Sequence, residues 1–465
     1  MKNSMKKILM TVFFLTVISF GINGQTNVSG GIYSNTVWTL ANSPYIVTDT
    51  VVVFPGVTLT IQPGVTVKFD NNKRLEIRQA KIIAEGTSTD SITFTSNSST
   101  PSPGIWSVVY LNNCSGSMNF YYCNFRYANY GLVCSVDSIT VKNSNFNNNN
   151  YGLHPSCYLS KLDSCNFRNN IITGLLINGY AITDDCNFEM NFNGVDCMGE
   201  LFSNNCYFKN NTNGIYNEAN VYLNNCNISK NQTGLNCIIS NSLSIKNSII
   251  DSNSTDGIYS NAIMNDSIIN CEIKDNNIGI HEMSENIIVT QNVIEDNNIG
   301  IKLEYNYNVS IYCNKICNNT TYDFYYNVNQ GSNLSTPYNY WCTPDSASTE
   351  AVIYDGYDNI NKGLVFFMPL DTSNCYLTTG ISNNELEKFS FNVFPNPASD
   401  HLTLKFAQNT SKAEVKIYNL LGELKSTSSK SSTESTIDIS DLSNGVYIIE
   451  VTTERNIMRQ KFIKQ

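Results

Sequence analysis

Charge is scarce in this chain. Only 15% of its 465 residues are Asp, Glu, Lys or Arg, against roughly 25% in an average globular domain. An excess of basic residues is missing: 29 Lys and Arg stand against 39 Asp and Glu, a formal net charge of −10. Nucleic acid calls for a basic face and is excluded as a partner. There are 3 His, and no zinc-ligand spacing or nucleophile elbow accompanies them. A helical solenoid needs a 3.6-residue hydrophobic period, and a leucine-rich repeat needs a Leu-rich consensus; both are absent. Low charge does not mean disorder here, because 41% of residues are hydrophobic, with 27 Tyr and 22 Phe. Asn, Ser and Thr supply the polar surface.

Two ends differ from the middle. Lys2, Lys6 and Lys7 precede the apolar run Ile8–Phe20, which is followed by Gly21 and Gly24. This reads as a signal peptide over 1–24, too short to span a membrane and with no lipid-anchoring Cys after it. Beyond Cys375 the composition shifts to a polar linker, 376–389, and then to a separate module, 390–465.

The middle repeats. Gly131, Gly152, Gly174, Gly194, Gly214, Gly234, Gly257, Gly279 and Gly300 recur about every 20–23 residues, which marks one stacked structural unit. Aligned on these glycines, the units read CNFRYANYGL, SNFNNNNYGL, CNFRNNIITGL, CNFEMNFNGV, CYFKNNTNGI and onward. The third column is Phe125, Phe146, Phe167, Phe188 and Phe208, then Ile228, Ile250, Ile273 and Ile294. Apolar and polar residues alternate around it, as in a strand with one buried face. A later column is Asn149, Asn170, Asn191, Asn211, Asn231, Asn253, Asn276 and Asn297. These asparagines are expected to take the left-handed region at a turn. Stacked coil on coil, their amides form a ladder along the axis. The glycine is expected to redirect the chain so that the next residue points inward. Short strands, one circuit per repeat and identical residues in register describe a parallel β-helix. Alternating strands over Val51–Thr95 extend it toward the N-terminus, for about a dozen coils.

The stretch from Ser43 to Ser96 (SPYIVTDTVVVFPGVTLTIQPGVTVKF…EGTSTDSITFTS) resembles the N-terminal module of bacterial right-handed parallel β-helix proteins of the pectin-lyase-like superfamily. Asn339–Leu370 resembles the segment that closes many such domains, with Cys342 where Gly is common. The resemblance covers about Asn27–Cys375. After it, FPNPASD, YNLLGE and DLSNGVYIIEV resemble the type A C-terminal sorting domain of the bacterial type IX secretion system, found in Bacteroidetes. The motif residues are Pro395, Asn396, Pro397, Gly422 and Gly445. The fold class is thus all-β: a right-handed parallel β-helix over 25–375, followed by a small immunoglobulin-like β-sandwich. The sorting resemblance implies the type IX machinery as partner, removal of the domain, and a mature protein that is secreted or held on the outer cell surface.

Chemistry is harder to find. Pectate-lyase-like relatives use an acidic Ca²⁺ cluster with a basic residue, and polygalacturonase-like ones use several Asp with Gly-His-Gly, which this chain lacks. Arg126 and Arg168 share an outward column with Glu189, Lys209, Asp251, Lys274 and Glu295, a mixed ladder that reads as a solvated face. His154 and His281 share another column six coils apart and read as surface residues. Asp355 and Asp358 are weak metal candidates that read better as turn residues, so Ca²⁺ is the one cofactor left open. Asp-Ser/Thr-apolar triplets at Thr50, Ser91, Ser138, Ser267 and Ser346 resemble the Bacteroidetes O-glycosylation pattern, and also read as polar turns before strands. Most of the 15 Cys fall in the inward column and are expected as buried thiols; Cys342 with Cys375 is the disulfide candidate. Outward Tyr207, Tyr216 and Tyr259 are the candidate binding residues. The expected function is non-catalytic binding of an extracellular polysaccharide or a host or cell-surface glycan by a monomer, with a polysaccharide lyase or glycoside hydrolase as the alternative.

Overall fold

The computed structural model describes residues 24–238, 242–261, 265–371, 375–377, 391–406, 413–419, 424–430, 434–452 and 457–465. The expected signal peptide and linker lie almost wholly outside these residues, as does Gly422. The chain divides into two units, Met1–Thr378 and Thr379–Gln465.

The first unit is a parallel β-solenoid of about 14 turns. Each coil lays one strand on each of three faces, and each strand pairs in parallel with its equivalents in the coils before and after. On the first face Asn145–Asn147 lies between Cys123–Arg126 and Asn166–Arg168. On the second, Tyr151–Pro155 precedes Thr173–Ile177. On the third, Leu159–Asp163 precedes Tyr180–Asp184. The coils beyond the expected dozen come from ends that lack the glycine signal. Thr26–Ile32 pairs with Tyr45–Val53, and Tyr322–Tyr326 pairs with Ile299–Leu303.

The Phe column runs through the core. Phe94, Phe125, Phe146, Phe167, Phe188 and Phe208 stack with ring centroids 4.7–5.0 Å apart, near the strand spacing. All six are fully buried. Burial of each contributes roughly 1.5–3 kcal/mol, with about 0.5–1.5 kcal/mol more for each ring pair.

One expectation about the corners is corrected, by one residue. The ladder asparagines are not in the left-handed region; the residues just before them are, including Asn148 (φ 57°), Asn169 (55°), Met190 (56°), Asn210 (55°) and Lys230 (57°). A second left-handed corner precedes the inward Cys/Ser column, at Asn143, Ser164, Asp185, Asn205 and Asn225. The three-residue strand of the first face is thus bent sharply at both ends. Nor do the repeat glycines take positive φ. They are selected by close approach: a Cβ on Gly131 would sit 2.5 Å from the Gly152 carbonyl oxygen, and one on Gly214 would sit 2.5 Å from that of Gly234.

The ladder itself is continuous. From Asn149 to Asn297, each backbone N–H and each Nδ2 donates to the Oδ1 of the asparagine one coil on, at 2.9–3.1 Å. Nδ2 donates again to the carbonyl of the core residue behind it, as from Asn191 to Phe167 at 3.0 Å. The row ends at Asn319, which donates to the buried carboxylate of Asp323 at 2.8 and 3.0 Å. Burial pushes that carboxyl up to about 6. A second, shorter ladder, Asn292–Asn314–Asn339, takes over the inward column where Cys and Ser stop.

One interior site is short of hydrogen-bond donors. Asp266 and Glu282 are each 1% exposed. Asp266 accepts from Ser260 Oγ at 2.5 Å and from the Leu243 N–H at 3.1 Å. Neither oxygen of Glu282 has a hydrogen-bond partner. Burial, then the neighbouring Asp266, pushes the Glu282 carboxyl well above its ordinary value, and burial raises Asp266 to about 6.

The closing segment is stapled to the last coil, and here the disulfide expectation is corrected. Cys342 bonds Cys317, and Cys375 bonds Cys313. A parallel bridge between Lys315 and Tyr340 carries Cys342 over Cys317. Cys317 follows Glu295 in the outward column, and Cys313 is a left-handed corner residue, so neither faces the core as the other thiols do. Cys342 has φ 58°, the conformation that favours Gly at this position. The other 11 Cys are buried and free.

The second unit holds two antiparallel sheets. One joins Phe391–Phe394, His401–Phe406 and Glu434–Asp438; the other joins Leu424–Lys430, Ala413–Asn419, Gly445–Thr452 and Ile457–Lys464. Leu402, Leu404, Val415, Ile417, Ile449, Val451 and Phe462 form the shared core of a β-sandwich. The Pro395-Asn396-Pro397 segment lies along the terminal strand. Asn396 Oδ1 accepts from the Ile463 N–H at 2.9 Å, and the Ala398 N–H donates to the Ile463 carbonyl at 2.8 Å.

Two outcomes follow. Asn191→Leu removes the acceptor for Asn170 and the donor to Phe167, so thermal melting should show a loss of at least about 3 kcal/mol, since each orphaned buried group costs ~1–3 kcal/mol. An unchanged curve contradicts the ladder. Glu282→Gln tests the interior pair. A carboxyl raised on folding favours the folded state below its unfolded value, ordinarily 4.5, and that contribution is lost as pH climbs through the folded value. The variant's advantage in Tm should therefore be small near about pH 4 and widen toward about pH 8; a gap independent of pH contradicts it.

Candidate functional site

The core fixes where outward side chains go. After each repeat glycine the second face runs inward, outward, inward, so the second residue after each glycine projects from the surface. Strand register places Asp196, Tyr216, Asn236, Tyr259, His281, Lys302, Tyr325 and Tyr354 in one outward row. Neighbours in the row are about 4.8 Å apart. Flanking positions add Glu218, Asp256, Glu304 and Tyr322.

The charged part converges over three coils. His281 Nδ1 lies 3.3 Å from Asp256 Oδ1, and its Nε2 lies 3.3 Å from Glu304 Oε1. Lys302 pairs with the same Glu304 oxygen. The imidazole is only 13% exposed, which corrects the surface reading of His281. Its ring is edge-on to Tyr259, with centroids 5.1 Å apart. Burial opposes ionisation of Glu304, but Lys302 and His281 outweigh it and hold the carboxyl below its usual value. Farther along the row Tyr325 stacks on Tyr354, with centroids 4.3 Å apart and planes 4° apart, and Tyr322 stands edge-on to Tyr354. In the other direction, burial and then Glu218 raise the carboxyl of Asp196, whose Oδ1 is shielded from solvent and has no partner.

The other sequence candidates scatter. Tyr216 and Tyr259 share this row, two coils apart. Tyr207 lies on the first face, in register with Asn187 and Asn227, with the Lys209 ammonium 4.7 Å above its ring. His154 stays in the row's column, far from His281, beside Asn178 Nδ2 at 3.0 Å. Asp355 accepts from the Tyr357 N–H at 2.8 Å and the Val365 N–H at 2.7 Å, and Asp358 accepts from the Asp355 N–H at 3.1 Å. Both are turn residues, and no group of three or more His, Cys, Asp or Glu among the described residues is placed to hold a metal. Of the triplet hydroxyls, Thr50, Ser91, Ser138 and Ser267 are partly buried; Ser346 is exposed, and Asp345 before it caps a short helix by accepting from the Ser348 N–H at 2.8 Å. Sequence reasoning missed Asp256, Lys302, Glu304, Tyr325 and Tyr354. The glycine offset marked Lys302, but the carboxylates sit at other offsets and the last two tyrosines follow the final glycine.

Residues 392–465 match the family described as secretion system C-terminal sorting domain. Residues 30–117 match the pectate-lyase like beta helix domain, and residues 214–339 the right handed beta helix region. The chain therefore joins a right-handed parallel β-helix to a C-terminal sorting domain, which marks it for the cell surface or extracellular space. No curated protein matches it. Among solved structures it is similar to the full-length tailspike protein 2 from Escherichia coli O157:H7 bacteriophage CAB120, at 12% identity and a TM-score of 0.21, over 94% of this chain and 64% of that one. The chain spans less than two thirds of that protein's length.

Proposed function

We propose that this exported β-helix protein is a non-catalytic glycan binder or adhesin that acts as a monomer, and that the outward row of the second face is its binding surface. The observation that carries this reading is the register of Tyr216, Tyr259, His281, Lys302, Tyr325 and Tyr354 on one face. A sugar polymer offers apolar ring faces and hydroxyls at regular intervals. A row of rings interleaved with amide and charged groups meets both, with most of the surface order supplied in advance by the core. Catalysis would need an acid and a base free to act on the substrate. Here Asp256 and Glu304 are engaged with His281 and Lys302. Export follows the sorting domain through the type IX machinery, with removal of 390–465 and attachment or release of the mature protein. Ser346, the exposed triplet hydroxyl, is the proposed O-glycosylation position.

One observation favours the alternative, a glycoside hydrolase or polysaccharide lyase. Asp196, whose carboxyl is raised by burial, lies beside Glu218 on the next coil, and a pair of carboxyls is what hydrolysis requires. Incubating the protein with acidic and neutral polysaccharides, with and without Ca²⁺, separates the two. Retention without new reducing ends or unsaturated uronate absorbance is the expected result, and Tyr259→Ala should weaken retention about tenfold, the loss of roughly one stacked ring. Product formation abolished by Asp196→Asn would replace the binding reading with the catalytic one.

A further inference from the structure

The first coils carry a positive charge that the fold does not use. The second-face row reaches back through His154, Val133 and Tyr110 to Glu76. The Glu76 side chain is only 3% exposed, and Arg74 and Arg78 flank it, with Arg74 Nη2 at 3.0 Å and Arg78 Nε at 2.7 Å. Asn112 Nδ2 donates to it as well, at 3.0 Å. One guanidinium would neutralise this carboxylate; two leave a positive charge over. The arginine side chains are 44% and 42% exposed, and among the described residues neither pairs with a second carboxylate. Lys73 beside them is balanced by Asp49 at 3.0 Å. Because Arg78 reaches Glu76 through Nε, its two terminal nitrogens remain as a fork, the geometry that holds an oxyanion by paired hydrogen bonds. An aromatic platform stands in the same column. Ile32 pairs with Val53 and Val53 with Ile77, so the residues that follow, Tyr33, Phe54 and Arg78, succeed one another on three coils. Arg78 Cζ lies 5.6 Å from the Phe54 ring centroid, and Tyr33 stacks on Phe54 with centroids 4.6 Å apart. The Tyr33 ring also lies against Gly31, where a Cβ would come within 2.5 Å of it, yet Tyr33 is 74% exposed. A large ring is thus held in place without being buried.

From this we infer a separate subsite on the first coils for an acidic sugar: Tyr33 stacks on the sugar ring, and Arg78 with Arg74 takes the carboxylate or sulfate that the sugar carries. The inference rests on the glycan-binding reading above and adds an anionic residue to the ligand. The chain's net charge of −10 disfavours a polyanion as a whole, so this local surplus decides where the acidic residue sits.

The test is calorimetric titration of the full chain with galacturonate hexaose, a sulfated galactose hexaose and the neutral galactose hexaose. The expected result is that an acidic hexaose binds at least about tenfold tighter than the neutral one, and loses that advantage as salt rises from about 50 to about 500 mM. Whichever acidic hexaose does so identifies the anion as carboxylate or sulfate. Tyr33→Ala and Arg78→Gln should each weaken its binding about tenfold, and Arg78→Gln should leave the neutral hexaose unchanged. A melting curve matching wild type shows that Arg78→Gln is folded. Tyr33→Ala removes an exposed ring away from Glu76, and reads the site independently of that variant. Acidic hexaoses that bind no tighter than the neutral one overturn the inference and leave the binding reading standing. So do acidic hexaoses that bind both variants as they bind the wild type. No binding by any hexaose removes both.

Discussion

The β-helix depends on one constraint: each coil must lie on the last in register at the strand spacing, with no buried polar group left over. Strands meet this through backbone pairing, but corners do not, because a left-handed corner turns an N–H away from its strand partner. The asparagine ladder answers this need. Each Oδ1 takes up the corner N–H of the coil before it, and each Nδ2 ties two coils at once. Asn fits because it carries acceptor and donor on a short side chain. Leu would leave both corner groups unpaired, and Asp would lack the donor. The ladder ends on Asp323, where the acceptor of the last amide is a carboxylate rather than another amide.

Register then sets the packing. With the corners fixed, the Phe column stacks at the strand spacing and the glycines clear the carbonyl of the next coil. The same register repeats on the outside. Once alternate residues are held inward, the outward row is free to vary without affecting the core. The rings and charges of the second face sit on such positions, so they can change without a cost to folding. The closing segment protects the last coil, where Cys313 and Cys317 are bonded to residues beyond it. It covers a strand edge that would otherwise be open.

The repeat made much of this legible. A period of about 20 residues, the Phe column and the Asn column were readable because each recurs at a fixed offset from a glycine. What each residue does at its offset was less so. Left-handed φ falls on the residue before the ladder asparagine, and hydrophobic alternation carries no information about which of two adjacent polar residues turns the corner. The glycines are there for a contact with another coil, which lies outside any local pattern. His281 was read as a surface residue because its partners come from different offsets: Asp256 precedes a glycine, and Glu304 lies four residues after one. Column alignment compares equal offsets and cannot bring these together. The disulfides escaped for a related reason, since the closing segment does not repeat and its register is set by pairings such as the Lys315–Tyr340 bridge, which no column marks.

Native-state hydrogen exchange read at single residues reaches the ladder itself. The backbone amides of Asn170, Asn191, Asn211, Asn231 and Asn253 sit at corners, where exposed turns ordinarily exchange fast. Bonded to the next coil's side chain, they should exchange as slowly as the strand amides of Asn166 and Asn187 beside them. Exchange of these five at the rate of an open loop, with the strands still protected, would mean that the coils are held by their strands alone and that the asparagine ladder does not order the fold.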